Sequence, residues 1–139
     1  MFTNRRRVRI EWGDCDAAGI VFYPNYFRVF DASTHYLFEA AGFPKHWYTK
    51  HYDILGTPMV DTRAQFFIPS KYGDDIEIES SIPQFRRSSF DVLHKVFKGE
   101  KLAIEANEVR VWVGKDPANP EAIKSRPIPQ EIIDRFAKG

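Results

Sequence analysis

Residues 24–41 read "PNYFRVFDASTHYLFEAA". Phe27, Phe30, Thr34, Leu37, Phe38 and Ala41 recur at spacings of three and four, the period of a helix with an apolar stripe. Pro24 suits the first turn, where its missing N–H would be unpaired in any case. Gly42, followed two residues later by Pro44, stops the helix. The helix is apolar over much of its girth, so the spacing predicts that another element wraps it.

The rest of the chain supplies that wrapping. Before the helix, "RRVRIEW" (6–12) alternates, with Val8, Ile10 and Trp12 opposite Arg7, Arg9 and Glu11: a half-buried strand. A short second helix is expected over residues 44–51. Strands are then expected over 58–68, 75–82, 88–97 and 102–114, joined mainly by hairpins at turn signals such as "YGDD" and "KGEK". Ile76, Ile78 and Ser80 oppose Glu77, Glu79 and Ser81, while Val109, Val111 and Val113 share one face. "DPANP" reads as a loop, Pro127 and Pro129 as extended chain, and "PQEIIDRFA" as a short closing helix. Five long antiparallel strands and one apolar helix make a curved sheet with its concave face filled. This is an α+β arrangement, the hot-dog fold, and residues 1–139 are expected to form one such domain. A single sheet of this kind leaves open edges, and pairing between two copies is the usual remedy, so a homo-oligomer is expected.

Composition excludes several classes. Hydrophobic residues at 43% and charged residues at 28% are ordinary for a globular chain, so disorder is not expected. A formal charge of +1 offers no general excess of cations for nucleic acid. The longest apolar runs, such as Gly19 to Phe22, fall far short of the ~20 residues of a membrane helix. One cysteine cannot form an intramolecular disulfide, which fits a reducing, cytoplasmic setting. Cys15 lies between two acids that disfavour its thiolate, so it reads as a packed residue. The four histidines show no metal-ligand spacing with Asp or Cys. No metal or cofactor is predicted.

The loop before the helix, "GDCDAAGIVFY" (13–23), holds the residues that could do chemistry. A helix starting at Pro24 points unpaired backbone amides and the positive end of its dipole at this loop. Such amides can receive an oxyanion. Asp16, on a chain made pliable by Ala17, Ala18 and Gly19, can fold back beside them. A carboxylate and an oxyanion site together suffice for acyl transfer. The plainer alternative is that Asp14 or Asp16 makes an Asx turn or caps the helix.

"GDCDAAGIVFYPNYFRVFD" resembles the signature of the 4-hydroxybenzoyl-CoA thioesterase family, of the hot-dog superfamily. The family pattern is an acid, two or three residues, Gly-(Ile/Val)-Val, an aromatic and Tyr-x-Asn-Tyr. The similarity continues through "LGTP" (55–58), "FRRSSF" (85–90) and "ANEVRVW" (106–112) and covers nearly the whole chain. Ala17 and Phe22 stand where a family member carries proline and tryptophan. The resemblance implies that Asp16 attacks the thioester carbonyl or activates a water, with the Tyr23 N–H polarising that carbonyl. It implies that Asp31 receives the para-hydroxyl of the substrate ring. The plainer reading is that Asp31 faces solvent or pairs with His35 at i+4. Phe22, Tyr23 and Thr57 would line the ring pocket, Thr57 from the same or a second subunit. Arg86, Arg87 and Ser88 would hold the phosphates of coenzyme A, although adjacent arginines at a turn also serve solubility alone. Lys124 matches a relative's phosphate-binding arginine.

The expected activity is therefore hydrolysis of an aromatic acyl-CoA, 4-hydroxybenzoyl-CoA foremost, by a dimer assembled into a dimer of dimers. The rivals are a short-chain or general acyl-CoA thioesterase of the same fold, and an acyl-CoA-binding protein without turnover. A hot-dog dehydratase would need a histidine in the loop before the helix, and this loop has none.

Overall fold

The structure, a computed structural model, describes residues 1–139. Strand β1 (Thr3–Arg9) leads through a 3₁₀ turn (Trp12–Asp14) into helix α1 (Pro24–Ala40) and helix α2 (Lys45–His51). Strands β2 (Met59–Phe66), β3 (Asp75–Phe85), β4 (Ser89–Lys98) and β5 (Lys101–Val111) follow. A small hairpin, β6 (Val113–Asp116) and β7 (Asn119–Ser125), precedes helix α3 (Gln130–Ala137).

The five long strands form one antiparallel sheet in the order β1-β3-β4-β5-β2, with α1 packed on it. This is the expected α+β hot-dog arrangement. Three local expectations change. Only β3-β4-β5 is a run of hairpins, because β2 occupies the far edge beside β5 and the chain crosses the sheet to reach β3. Trp12 alternates with Val8 and Ile10 in sequence, yet it is 77% exposed because the strand ends at Arg9 and the chain turns away. The segment read as a loop at "DPANP" is the turn of the β6–β7 hairpin. Arg126 ties that hairpin down: its guanidinium donates to Asp53 O at 2.7 Å and Lys115 O at 2.8 Å. It lies directly on Gly114, where any Cβ would overlap it.

The core is two apolar halves with a polar layer between them. One half holds Phe30 from α1 with Ile76, Ile78, Val96, Ile104 and Ala106 from the sheet. The other holds Leu37 and Phe38 with Ile82, Phe90, Val92 and Trp112, closed by Tyr48 of α2 and Phe136 of α3. Between them each element contributes polar residues: Ser33 and Thr34 from α1, Ser80 from β3, His94 from β4, Glu108 and Arg110 from β5. All six are buried. Sequence alternation drew attention to Val109 and Val111, but those are only half-buried. The inward face of β5 carries the charged pair. Polar groups survive there because most of them satisfy one another; Glu108 Oε2 has no hydrogen bond and only the His94 ring 3.4 Å away.

The sheet ends in an open edge. All of β2 except half-buried Ala64 is exposed, including Met59, Val60 and Phe66, and Phe67 continues the exposed run. No helix is long and apolar enough to cross a membrane.

Candidate active site

The loop before α1 is a small, closed structure. Cys15 pairs with Val21, and the Asp16 N–H donates to Ile20 O at 3.0 Å. The Gly19 N–H returns to Asp16 O at 3.0 Å, a turn that needs the positive φ of +83° at Gly19. Inside the turn the Ala18 N–H donates to Asp16 Oδ1 at 2.9 Å. Asp16 thus does make an Asx turn, but with one oxygen only. Oδ2 has no hydrogen bond within the chain, and the residue is exposed.

Asp14 is the structural acid of the two. Its Oδ2 accepts the Glu11 N–H at 2.8 Å, and its carbonyl accepts both the Phe22 N–H (2.8 Å) and Asn25 Nδ2 (2.9 Å). These bonds fix how the loop meets the helix.

Fewer amides are left bare at the helix start than its dipole alone suggests. The Asn25 N–H donates to Phe22 O at 2.9 Å and the Tyr26 N–H to Tyr23 O at 3.1 Å, while Pro24 has no N–H. One backbone donor of this turn, that of Tyr23, has no partner in the chain. The Tyr23 amide and the free carboxylate oxygen therefore belong to the same eight-residue segment, in which the Ala17 and Ile20 N–H groups are also without a partner, and no bond joins them.

Two cavities flank β2. The first, about 280 Å³, lies at its Phe66 end and is almost wholly apolar, with Ile20, Tyr23, Tyr26, Phe66, Phe67 and Ser70 among its walls. The second, about 440 Å³, lies at the Met59 end and is polar, with Asp31, His35, Lys45, Thr57 and Arg110 among its walls. The expected ring-pocket residues are thus divided. Asp31 and Thr57 share the second cavity within one chain, Tyr23 lines the first, and Phe22 lines neither. The Phe22 ring sits edge-on to that of Tyr23 at 5.8 Å. Eight residues of helix separate Tyr23 from Asp31, about 12 Å along the axis. With Phe27 and His35 they make a stripe at i+4 intervals along α1.

Asp31 has more company than the sequence suggested. His35 Nε2 stands 3.8 Å from Oδ2, the expected i+4 neighbour. A second cation went unread: Arg110 Nη2 donates to Asp31 Oδ1 at 2.7 Å. A substrate lacking a ring hydroxyl would therefore not leave Asp31 without a partner. Arg110 also donates to Glu108 Oε1 (2.8 Å) and Thr57 O (3.0 Å). Burial opposes charge on Glu108, but the neighbouring His94 ring and the hydrogen bond from Arg110 outweigh it and hold its carboxyl down to about 2. Burial would lower the Arg110 pKa, and bonding to Glu108 and Asp31 raises it instead. Burial pushes His35 below its ordinary value, with Asp31 acting against it. The signal for this network was Glu108 and Arg110, two apart on an alternating strand. Their burial could not be read without Thr34 and His94.

The segment expected to meet phosphates is also divided. The Arg86 guanidinium is spent on Ser89 Oγ (2.7 Å) and on both oxygens of Asp91 (2.5 and 3.2 Å). The exposed Arg87 side chain has no partner in the chain, while its carbonyl accepts the Ile128 N–H at 2.8 Å. Ser88 O takes the Trp112 N–H at 2.7 Å. Lys124 stands exposed on β7, its side chain without a hydrogen bond. None of the four lines either cavity.

A family model described as the thioesterase-like superfamily matches residues 10–136. The chain belongs to this family. A 4-hydroxybenzoyl-CoA thioesterase of Pseudomonas sp. (strain CBS-3) is 38% identical over 132 residues, covering 91% of this chain and 92% of that protein. The solved structure of a 4-hydroxybenzoyl-CoA thioesterase from the same strain superposes with a TM-score of 0.86 at 35% identity, covering 96% of this chain and 98% of that one. A gentisyl-coenzyme A thioesterase structure gives 0.81 at 32% identity, covering 97% and 100%. The chain is thus a hot-dog acyl-CoA thioesterase, similar to enzymes whose names specify hydroxylated aromatic acyl groups.

Proposed function

We propose that this thioesterase, acting as one domain over residues 1–139, hydrolyses an aromatic acyl-CoA bearing a ring hydroxyl, foremost 4-hydroxybenzoyl-CoA, to the free acid and coenzyme A. The observation that carries the reading is the free Tyr23 N–H in the same turn as the unengaged Asp16 Oδ2. An amide fixed before charge develops stabilises the oxyanion of a tetrahedral intermediate without reorganising. Asp16 either attacks the carbonyl carbon, expelling the coenzyme A thiolate and leaving an anhydride that water opens, or takes a proton from the attacking water. Both routes end in the same acid and thiol.

The helix stripe supports the choice of acyl group. About 12 Å separates Tyr23 from Asp31 along the axis. A hydroxybenzoyl group held at each end by hydrogen bonds of about 3 Å spans a similar length, with Phe27 between as an apolar floor. Arg87, with Ser88, Arg86 and Lys124 nearby in role, receives the nucleotide end. The open β2 edge pairs with that of a second copy, which roofs this stripe and gives the dimer on which a dimer of dimers is built. A cytoplasmic site of action fits a substrate made from coenzyme A.

A second reading, a thioesterase for plainer acyl groups, is favoured by the Arg110–Asp31 pair, which satisfies Asp31 without substrate. Thiol release from benzoyl-, 4-hydroxybenzoyl-, phenylacetyl- and short aliphatic-CoA decides between them. The proposal expects 4-hydroxybenzoyl-CoA to have the highest kcat/KM, and equal values across the panel would refute it. Absence of thiol release from all four would mark a binding protein.

A further inference from the structure

The Asp31 carboxylate stands on a half-open rim with half-buried His35 3.8 Å from Oδ2, yet the cation bonded to it is buried. Arg110 is 3% exposed and uses three nitrogens on three partners: Nε on Glu108 Oε1, Nη1 on Thr57 O and Nη2 on Asp31 Oδ1. Glu108, 1% exposed, takes the Thr34 hydroxyl on the same Oε1 at 2.6 Å. Its Oε2 faces His94 Nε2 at 3.4 Å. His94 is itself held by Ser80 Oγ on Nδ1 at 2.8 Å and by the Phe30 ring stacked at 5.2 Å. Since the single Thr34 proton goes to Glu108, the contact between Thr34 Oγ1 and His94 Nε2 (3.2 Å) is a donation from the ring, which leaves Nδ1 facing Ser80 Oγ.

A guanidinium gripped on two sides by Glu108 and the Thr57 carbonyl has no freedom left at the third. It presents a fixed N–H to one oxygen of Asp31. A lone carboxylate on an exposed helix surface would instead sample several rotamers and offer either oxygen to water. We infer that Arg110, braced by Glu108 and His94, is a positioning residue that sets acyl-group selectivity, by anchoring Asp31 through Oδ1 and leaving Oδ2 as the acceptor offered to the substrate. The inference rests on Asp31 as the contact for the ring hydroxyl. Because Arg110 occupies Oδ1 and leaves Oδ2 facing the cavity, the site selects acyl groups that donate a hydrogen bond at their far end. Neither Glu108 nor His94 meets the substrate in this scheme.

Arg110→Lys keeps one cation but cannot serve three partners. The measurement is the ratio of kcat/KM for 4-hydroxybenzoyl-CoA to that for benzoyl-CoA, in wild type, Asp31→Ala, Arg110→Lys and the double variant Glu108→Gln/Arg110→Gln. The double variant removes both charges together, so no lone charge is left buried if Arg110→Lys fails to fold. The ratio should fall by about tenfold in Arg110→Lys and in the double variant, the size expected for a misplaced hydrogen bond worth about 1.4 kcal/mol. A purely structural role would lower both substrates in step and leave the ratio intact, which overturns the inference. If Asp31→Ala abolishes the preference while the Arg110 variants retain it, the inference fails and the proposed function stands. If the wild type shows no preference at all, both fall together.

Discussion

The Thr34 hydroxyl of α1 donates to Glu108 Oε1 of β5 over 2.6 Å, and neither residue is more than 1% exposed. This bond joins the central helix to the sheet through the polar layer that divides the core. Thr34→Val keeps the shape and removes the donor, leaving a buried carboxylate short of one partner. It should lower unfolding free energy by about 1–3 kcal/mol, whereas Thr34→Ser should cost less than about 1 kcal/mol. Urea denaturation of the three proteins checks this, and a Val variant as stable as wild type would contradict it.

Acid should weaken the fold through Glu108. Its carboxyl titrates at about 2 in the folded chain against an ordinary 4.5, so the unfolded chain binds the proton first. The stabilisation is complete above 4.5 and is lost as pH falls towards 2, on the order of 3 kcal/mol in all. His35, held below its ordinary 6.5 by burial, adds a loss in the same direction once pH drops under that value. Urea midpoints measured from pH 7 to pH 3 should fall more steeply in wild type than in Glu108→Gln below pH 4.5. Parallel curves would show that Glu108 is not the titrating group.

Asp16→Asn should reduce kcat by at least ~10²-fold with little change in KM, as expected for a group acting in the transition state. Asp14→Asn should behave differently. Its side chain accepts the Glu11 N–H through Oδ2 and stands 3.7 Å from Arg28, so loss of its charge should show as a lower melting temperature, while the backbone bonds to Phe22 and Asn25 remain. Steady-state kinetics beside thermal melts separates the two acids, and a fully active Asp16→Asn would remove Asp16 from the mechanism.

Arg86 and Arg87 are neighbours with different commitments. Arg86 is locked onto Asp91 and Ser89, whereas the Arg87 side chain is free. Arg87→Ala should raise KM for acyl-CoA several-fold at low salt, an effect that fades as salt screens the phosphates. The same acyl group on pantetheine alone, without the nucleotide, should be indifferent to the change. If both substrates respond equally, Arg87 does not meet the nucleotide.

A charge placed on the open edge should separate the copies. Val60 is 61% exposed on β2. Val60→Glu sets like charges against each other across a two-fold pairing of this strand. Light scattering should then report a smaller assembly, with thioesterase activity falling alongside it. An unchanged assembly would place the interface elsewhere.

Much of this molecule is local and therefore legible in the sequence. The three-and-four spacing of rings between Pro24 and Ala41 fixes the helix, and alternation fixes β3 and β4, because each pattern reflects the geometry of one element burying one face. The loop signature also marks Asp16 and Tyr23, since a turn closed by Gly19 and a helix opened by Pro24 are short-range events. The polar layer is different. Glu108 and Arg110 sit between valines that look like the buried face. They turn inward only because Thr34 and His94, from α1 and β4, arrive to satisfy them. A buried charge is stable or ruinous according to partners tens of residues away, and no local pattern records those partners. So the sequence by itself determined the central helix, the five long strands and the position of the loop that carries Asp16. The tertiary structure alone decided that Asp31 is held by Arg110, that Tyr23 keeps a free amide at the helix start, and that Arg86 is committed to Asp91 while Arg87 is free.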